Sequence, residues 1–214
     1  MRKTLEIGGL VAAVVLIAFG VAAVALGFQG QSTVHDNLVA QKIIGSPDMT
    51  PAGITTEAKA AHLNLATLTI PSCSVANKAV SNGASARCFA QYMTIHALEA
   101  TGGQVYSNMP RYASANGKGT NDAKTALTSN GAPLDNPARN IWIQETALST
   151  ALNTSYMADQ ISLFGIVVGI ALLLSGLGFG ILSLGGALRS PDSSLKFLVG
   201  RRRHAAAHRA ATSV

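Results

Sequence analysis

A run of 28 residues without Asp, Glu, Lys or Arg, residues 161–188, constrains this chain more than any other feature. A helix crosses ~30 Å of hydrocarbon in about 20 residues, because it rises ~1.5 Å per residue. Within lipid, a single helix satisfies all of its own backbone polar groups. A soluble helix of this length would carry a polar face, and this run has none. The run therefore predicts a transmembrane helix over residues 161–188.

A second apolar segment covers residues 7–28 and follows a short basic start. It contains Ala23-Val24-Ala25, a pattern that signal peptidase can cleave. The apolar core of a signal peptide has ~7–15 residues, whereas this segment has 22. The length favours an uncleaved signal anchor that forms the first transmembrane helix. If cleavage occurred, the mature protein would keep one span and the same central domain.

The net charge of +6 arises entirely at the two ends of the chain. Between residues 29 and 160, eight Lys and Arg side chains balance eight Asp and Glu side chains. The positive-inside rule then predicts cytoplasmic termini and an extracytoplasmic centre, in a protein of the plasma membrane. The predicted divisions are a cytoplasmic N-terminus (1–6), transmembrane helix 1 (7–28), an extracytoplasmic helical domain (29–160), transmembrane helix 2 (161–188) and a basic cytoplasmic tail (189–214).

Helical periodicity and breakers predict the elements of the central domain. The expected elements are an extension of the first span to about residue 44, a helix over 55–68, a helix from near Ser85 to Gly102-Gly103, a possible helix over 122–128 in a Gly/Asn-rich loop, and a helix that starts at Asn136-Pro137 and runs unbroken to 188.

Cys73 and Cys88 are the two cysteines of the chain, and both fall in the part predicted to be outside. An oxidising compartment favours a disulfide between them over two free thiols. Closing a loop of about 15 residues would stabilise the fold by ~3 kcal/mol in the chain-entropy model. The spacing differs from the Cys-x-x-Cys of redox enzymes. The predicted fold is therefore an all-α membrane protein with two transmembrane helices flanking an extracytoplasmic helical domain with one disulfide.

Small residues recur on one side of each span, where they permit close approach of two helix backbones. These stripes could join the two spans of one chain, or join the chain to another membrane subunit. The alternative is chance in an Ala/Gly-rich sequence, since Gly178, Gly185 and Gly186 lie off the stripe. The stripe residues are Gly9, Ala13, Gly20 and Gly27 in the first span and Gly165, Gly169, Gly176, Gly180, Ser183 and Ala187 in the second.

Neither span contains a charged residue, which argues against an ion or proton pathway. The histidines of the central domain, His35, His62 and His96, form no motif with metal-ligand spacing, so neither a metal site nor a cofactor is predicted. Residues 117–120 lack the pattern of a phosphate-binding loop, and residues 83–87 lack that of a nucleophile elbow. These absences predict a protein that is not an enzyme.

The tail carries Arg201, Arg202 and Arg203 next to a short apolar patch at residues 195–199. Such a patch suits the surface of anionic lipid, where each basic residue contributes about 1 kcal/mol. Topogenic charge explains the arginines equally well. Nucleic-acid binding is not expected, because the tail contains no recognisable module.

The start MRKTLEIGG (residues 1–9), the Ala/Val-rich span, and residues 30–50 followed by Ala52-Gly53-Ile54-Thr55 resemble a group of uncharacterised two-span membrane proteins of high-GC Gram-positive bacteria. The resemblance implies a topology of two membrane spans and supplies no catalytic residues. We expect an accessory or scaffold subunit that contacts a membrane-protein partner, or a second copy, within the lipid bilayer. The alternative is an anchored extracytoplasmic module or sensor that binds a small ligand.

Overall fold

A computed structural model describes residues 2–185, with side chains from Thr4 onward. The elements are α1 (Arg2–Ala40), α2 (Pro51–Ala60), α3 (Gly83–Ala100), a turn of 3-10 helix (Tyr106–Asn108), β1 (Thr128–Ser129), β2 (Ala132–Pro133) and α4 (Pro137–Gly185). Ala187 and Arg201, Arg202 and Arg203 lie outside the described residues. The described residues divide into a span unit, residues 2–28 with residues 163–185, and a central unit, Gln29–Ser162.

The span unit contains the apolar parts of α1 and α4, and both helices are long and apolar enough to cross a membrane. Large apolar side chains on these parts are exposed, including Phe19 (66%), Phe164 (68%) and Leu174 (68%). An exposed apolar surface of this kind suits hydrocarbon rather than water. The prediction of two apolar helices of membrane-spanning length is confirmed.

The ends of α1 and α2 differ from the prediction. The helix that was expected to reach residue 44 ends at Ala40, and Lys42 follows with a left-handed φ of 53°. The helix expected over 55–68 covers Pro51–Ala60 instead. Thr50 is its N-cap, with Oγ1 accepting a hydrogen bond from the backbone N–H of Gly53 at 2.9 Å. Proline suits the first helical position, where its missing N–H leaves no hydrogen bond unmade, so Pro51 starts this helix rather than preventing it.

The ends of α3 agree with the prediction of a helix from near Ser85 to a glycine stop. Asn82 and Ser85 form a capping box, in which the Asn82 side chain accepts from the Ser85 N–H at 2.8 Å and Ser85 Oγ accepts from the Asn82 N–H at 3.1 Å. At the other end, Gly102 (φ 62°) and Gly103 (φ 78°) take left-handed conformations. The Gly103 N–H donates to the carbonyl oxygen of Leu98 at 2.7 Å and so closes the last turn.

The possible helix over 122–128 is wrong, because this part of the chain forms turns that lead into a small hairpin. β1 and β2 pair antiparallel, with Ser129 opposite Ala132. Asn130 (φ 52°) and Gly131 (φ 78°) form the connection, and positive φ at both positions is the requirement of a type I′ turn. The fold is therefore mostly helical rather than all-α. Beyond the hairpin, α4 begins at Pro137 as predicted and continues without a break to Gly185.

The core of the central unit surrounds α3. Tyr92 is fully buried, and its hydroxyl donates to the carbonyl oxygen of Cys73 at 2.6 Å. Cys73 is bonded to Cys88, so the predicted disulfide is confirmed. The buried residues of this core are Val34, Leu38, Met49, Ile54, Ala58, Val75, Val80, Ala86, Cys88, Phe89, Ala90, Tyr92, Ile95 and Leu152.

The first turn of α3 lies against α4 at Gly83. A Cβ added to Gly83 would lie 2.6 Å from Asp159 Cβ and 2.8 Å from Tyr156 Cα, distances that a real side chain does not tolerate. The Arg87 guanidinium lies over the Tyr156 ring at 4.7 Å and adds a cation–π contact to the same pair of helices. Glycine at position 83 is therefore a requirement of this packing.

Replacing Cys73 and Cys88 together by serine should lower the free energy of unfolding of the central unit by about 3 kcal/mol, because the bond closes a loop with a sequence separation of 15. Urea unfolding in detergent, followed by the fluorescence of Trp142, the one tryptophan of the chain, measures this loss. Reductant should shift the wild-type midpoint toward that of the double variant and leave the variant unchanged. Equal midpoints in both proteins would contradict the stabilising role.

Candidate functional site

The small-residue stripes meet within the span unit. A Cβ added to Gly169 would lie 2.8 Å from the carbonyl oxygen of Gly20 and 2.9 Å from the backbone nitrogen of Val24. A Cβ added to Gly176 would lie 3.0 Å from the carbonyl oxygen of Ala13. At both positions the backbone of α1 lies where a side chain would have to fit. The stripes thus bring the two spans of one chain together, which is one of the two uses the sequence left open.

The other stripe residues within the described part of the chain are placed along the same line of contact or are buried. A Cβ added to Gly165 would lie 3.7 Å from the Ala23 carbonyl oxygen, and one added to Gly180 would lie 3.8 Å from Ala13 Cβ. Both are ordinary van der Waals distances. Buried stripe residues are Gly9, Ala13, Gly20, Gly27 and Ser183. The off-stripe residue Gly178 has open space around it.

Gly169→Leu should separate the two spans and destabilise the span unit by about 1–3 kcal/mol, the usual cost of overpacking. Gly178→Leu is the matched control, because the same side chain there would meet no atom within 4 Å. Thermal melting of both variants in the same detergent compares them, and the first variant should melt at a clearly lower temperature. Identical melting temperatures would show that the close approach at Gly169 contributes nothing.

An exposed apolar groove lies on the central unit beside the start of α4. It has a volume of about 540 Å³ and is lined by Tyr106, Trp142, Ile143, Thr146, Ala147 and Thr150. Ile143 is 53% exposed and Tyr106 is 41% exposed. Both aromatic side chains are held in place, because Trp142 Nε1 donates to the Gln104 carbonyl oxygen at 2.8 Å and the Arg139 guanidinium lies 4.1 Å from the centre of the Tyr106 ring.

A polar hollow continues from the apolar groove and shares Tyr106 and Ile143 with it. The hollow has a volume of about 200 Å³, and Arg111 and Arg139 lie on its wall. Arg139 Nη1 donates to the Met109 carbonyl oxygen at 3.3 Å. Among the residues that the structure describes, neither guanidinium has a carboxylate oxygen within 4 Å. Asp135 also lines the hollow, so the combined surface offers an apolar site next to two arginines and one carboxylate, with no close ion pair among these described residues.

A second groove lies between α3 and α4 and has a volume of about 390 Å³. Glu145 on its wall is only 7% exposed, and Glu145 Oε1 accepts hydrogen bonds from Thr94 Oγ1 and Ser149 Oγ, each at 2.7 Å. These bonds compensate for the burial of the carboxylate. The remaining walls are largely apolar, formed by Met93, His96, Ala97, Ala100, Ile141, Gln144 and Leu148.

His96 belongs to a group of side chains that could hold a metal ion. His96 Nε2 lies 2.6 Å from Asp48 Oδ2 and 4.0 Å from Glu57 Oε2, and one potential ligand atom of each residue lies within 4.8 Å of the others. Asp48 comes from the loop after α1, Glu57 from α2 and His96 from α3. Glu99 is one helical turn beyond His96. We call these four side chains the carboxylate–imidazole cluster.

Within the cluster, the pKa values of Asp48 and Glu99 are shifted in opposite directions. Burial alone would raise the pKa of the Asp48 carboxyl, but its hydrogen bonds, including that with His96, hold this pKa below its usual value. Burial raises the pKa of the Glu99 carboxyl, and the carboxylates of Glu57 and Asp48 add to the rise while His96 opposes it. Burial and the charge of Asp48 also raise the pKa of Tyr92.

This cluster was not predicted from the sequence. The three histidines considered as possible zinc ligands do not meet: His35 Nδ1 is hydrogen-bonded to the Ser81 carbonyl oxygen at 2.8 Å, and His62 is not part of the cluster. The partners of His96 come from positions 39 and 48 residues earlier, a spacing that no local motif encodes. The one local signal was the i, i+3 pair of His96 and Glu99 on one side of a helix.

No protein-family model matches this chain, and comparison with curated proteins and with solved structures finds no match. The resemblance to two-span proteins of high-GC Gram-positive bacteria stays a prediction. We therefore infer the function from the grooves, charges and contacts of the described residues.

Proposed function

We propose that this chain is a non-enzymatic protein of the cell envelope that acts as an accessory or scaffold subunit for another membrane protein. Two spans anchor it in the plasma membrane, with both termini in the cytoplasm and the central unit outside. The basic ends and the neutral centre of the sequence support this orientation. The disulfide supports it as well, because such bonds persist in oxidising compartments.

The exposed groove at Tyr106, Trp142 and Ile143 is the observation that carries the proposal. Contiguous apolar surface next to polar groups is typical of protein interaction sites, and aromatic residues and arginine are enriched there. Because the glycine stripes are already occupied by contact between the two spans of the chain, we assign partner recognition to the central unit.

The occupant that fits this surface is an extracytoplasmic segment of another membrane protein with an apolar side chain next to an acidic one. The apolar side chain would enter the groove, and the carboxylate would approach Arg111 and Arg139 in the adjoining hollow. Charge complementarity of this kind contributes to specificity and to the rate of association.

A photoreactive amino acid at position 143 should cross-link the partner in intact cells, and one at position 157 should not. Met157 is the matched control, because it lies on the same helix and is 63% exposed against 53% for Ile143. After mild detergent extraction, the cross-linked partner should also copurify with the uncross-linked chain in a fixed ratio, and Ile143→Glu should reduce its recovery at least tenfold. Cross-links only between two copies of this chain would overturn the heterologous partner and indicate a homo-oligomer.

The charge part of the proposal is tested by Arg111→Gln against Lys118→Gln. Both substitutions remove one positive charge from an exposed position in the same loop, but only Arg111 lines the hollow. The first should weaken binding of the isolated partner about tenfold at low salt, with a smaller difference at high salt because ions screen exposed charges. Equal affinities of the two variants would rule out the acidic contact.

The groove between α3 and α4 favours the second candidate function, a module or sensor for a small ligand. Its volume of about 390 Å³ falls within the range of ligand sites, and it combines apolar walls with one buried carboxylate, Glu145. Mass spectrometry of the purified protein under native conditions separates the two functions. A stoichiometric small molecule without a protein partner would favour the sensor over the scaffold.

A further inference from the structure

The carboxylate–imidazole cluster brings together three elements that are otherwise separate in the sequence. One ligand atom each from Asp48, Glu57 and His96 lies within 4.8 Å of the others. Asp48 and His96 are also partly shielded, with side-chain exposures of 16% and 25%, while Glu57 remains open at 49%. A cation could therefore reach the cluster from solvent and still meet two ligands fixed by the surrounding fold.

The charge of the cluster is not balanced by basic side chains. In the part of the chain that the structure describes, no Lys or Arg nitrogen lies within 4 Å of the Asp48, Glu57 or Glu99 carboxylates. A single imidazole faces three carboxyl groups. Carboxylates gathered around one histidine without a Lys or Arg partner are a ligand set that a cation would neutralise.

Glu99 provides a second, separate observation. Its Oε1 atom is shielded from solvent and has no hydrogen-bond partner in the described structure. A buried carboxylate oxygen without a partner is costly, and each such atom in a folded protein requires an explanation. Glu99 lies one helical turn from His96 and is near enough to Glu57 and Asp48 to be affected by their charges. A cation bound among these residues would supply the missing partner.

We propose that Asp48, Glu57 and His96 bind a Zn²⁺-class divalent cation, with Glu99 as the fourth ligand. Zinc accepts histidine nitrogen and carboxylate oxygen at about 2.0–2.2 Å, which places the corners of a tetrahedral site about 3.3–3.6 Å apart. The present distances from His96 Nε2, 2.6 Å to Asp48 Oδ2 and 4.0 Å to Glu57 Oε2, lie on either side of that value. Adjustments of under 1 Å would bring these two contacts of His96 to that spacing.

The proposed site is structural rather than catalytic. Four protein ligands leave no open position for water or substrate, which is the arrangement of structural zinc sites. The cation would join the loop after α1 to α2 and α3 and would stabilise the folded central unit in proportion to its occupancy. This role is independent of the partner groove, because Tyr106, Trp142 and Ile143 are not among the ligands.

The test uses the full chain in detergent, treated with a chelator and then dialysed free of it. Equilibrium dialysis with Zn²⁺ alone should give one bound ion per chain beyond the background of the tail histidines His204 and His208, and Zn²⁺ should raise the melting temperature. His204→Ala/His208→Ala should keep both effects. Glu57→Gln, which alters a half-exposed side chain, should weaken binding at least tenfold, and His96→Ala should abolish the added ion and the thermal shift.

The matched control is His62→Ala, which removes a histidine of the same central unit that lies outside the cluster and should bind Zn²⁺ as the wild type does. Trp142 fluorescence shows that each variant is folded. Unchanged stoichiometry and thermal shift in both Glu57→Gln and His96→Ala would overturn the site. Binding of Ca²⁺ with equal affinity would overturn the assignment to a zinc-class ion, because calcium prefers oxygen ligands over an imidazole nitrogen.

Discussion

In a membrane, each of the two long apolar helices must satisfy its backbone hydrogen bonds within itself, and the rest of the span unit follows from that constraint. A helix meets it, but two helices in lipid gain no hydrophobic free energy from contact with each other. Close packing must replace that driving force. Gly20 and Gly169 allow it, because the backbone of each lies where the other's side chain would be. The same glycines are consequently occupied by contact within the chain, and for that reason the proposed partner recognition is assigned to the central unit.

The central unit is held together by a small number of cross-connections as well as by its core. Between α2 and α3, and again between α3 and α4, the chain has little regular structure. Such segments lack the hydrogen bonds of helices and sheets, so their backbone groups need other partners. Tyr92 and the disulfide both fix the segment at Cys73 against α3. The segment before α4 is fixed at two carbonyl oxygens. Arg139 donates to that of Met109, and Asn136 donates to that of Pro110.

Local sequence patterns predicted an element correctly where the pattern has one structural meaning. The charge-free apolar runs predicted both long apolar helices. The start of α4 was predicted from Asn136-Pro137, and the end of α3 was predicted from Gly102-Gly103. The start of α2 was predicted four residues too late, at residue 55 rather than Pro51, because proline both prevents a helix from continuing and suits its first turn. The hairpin was missed although Asn130-Gly131 is a strong type I′ signal, since strands of two residues carry no alternating pattern.

The candidate sites were less predictable than the elements, because each depends on residues that only the tertiary fold brings together. His96 illustrates the reason. It lies on the wall of the groove between α3 and α4 and is also hydrogen-bonded to Asp48, which is 48 residues away. A cation at the carboxylate–imidazole cluster would bind Nε2 and fix the imidazole ring, which would also fix part of the groove wall. If the groove holds a small ligand, its affinity should therefore depend on the cation, whereas the partner surface at Trp142 shares no residue with either and should not.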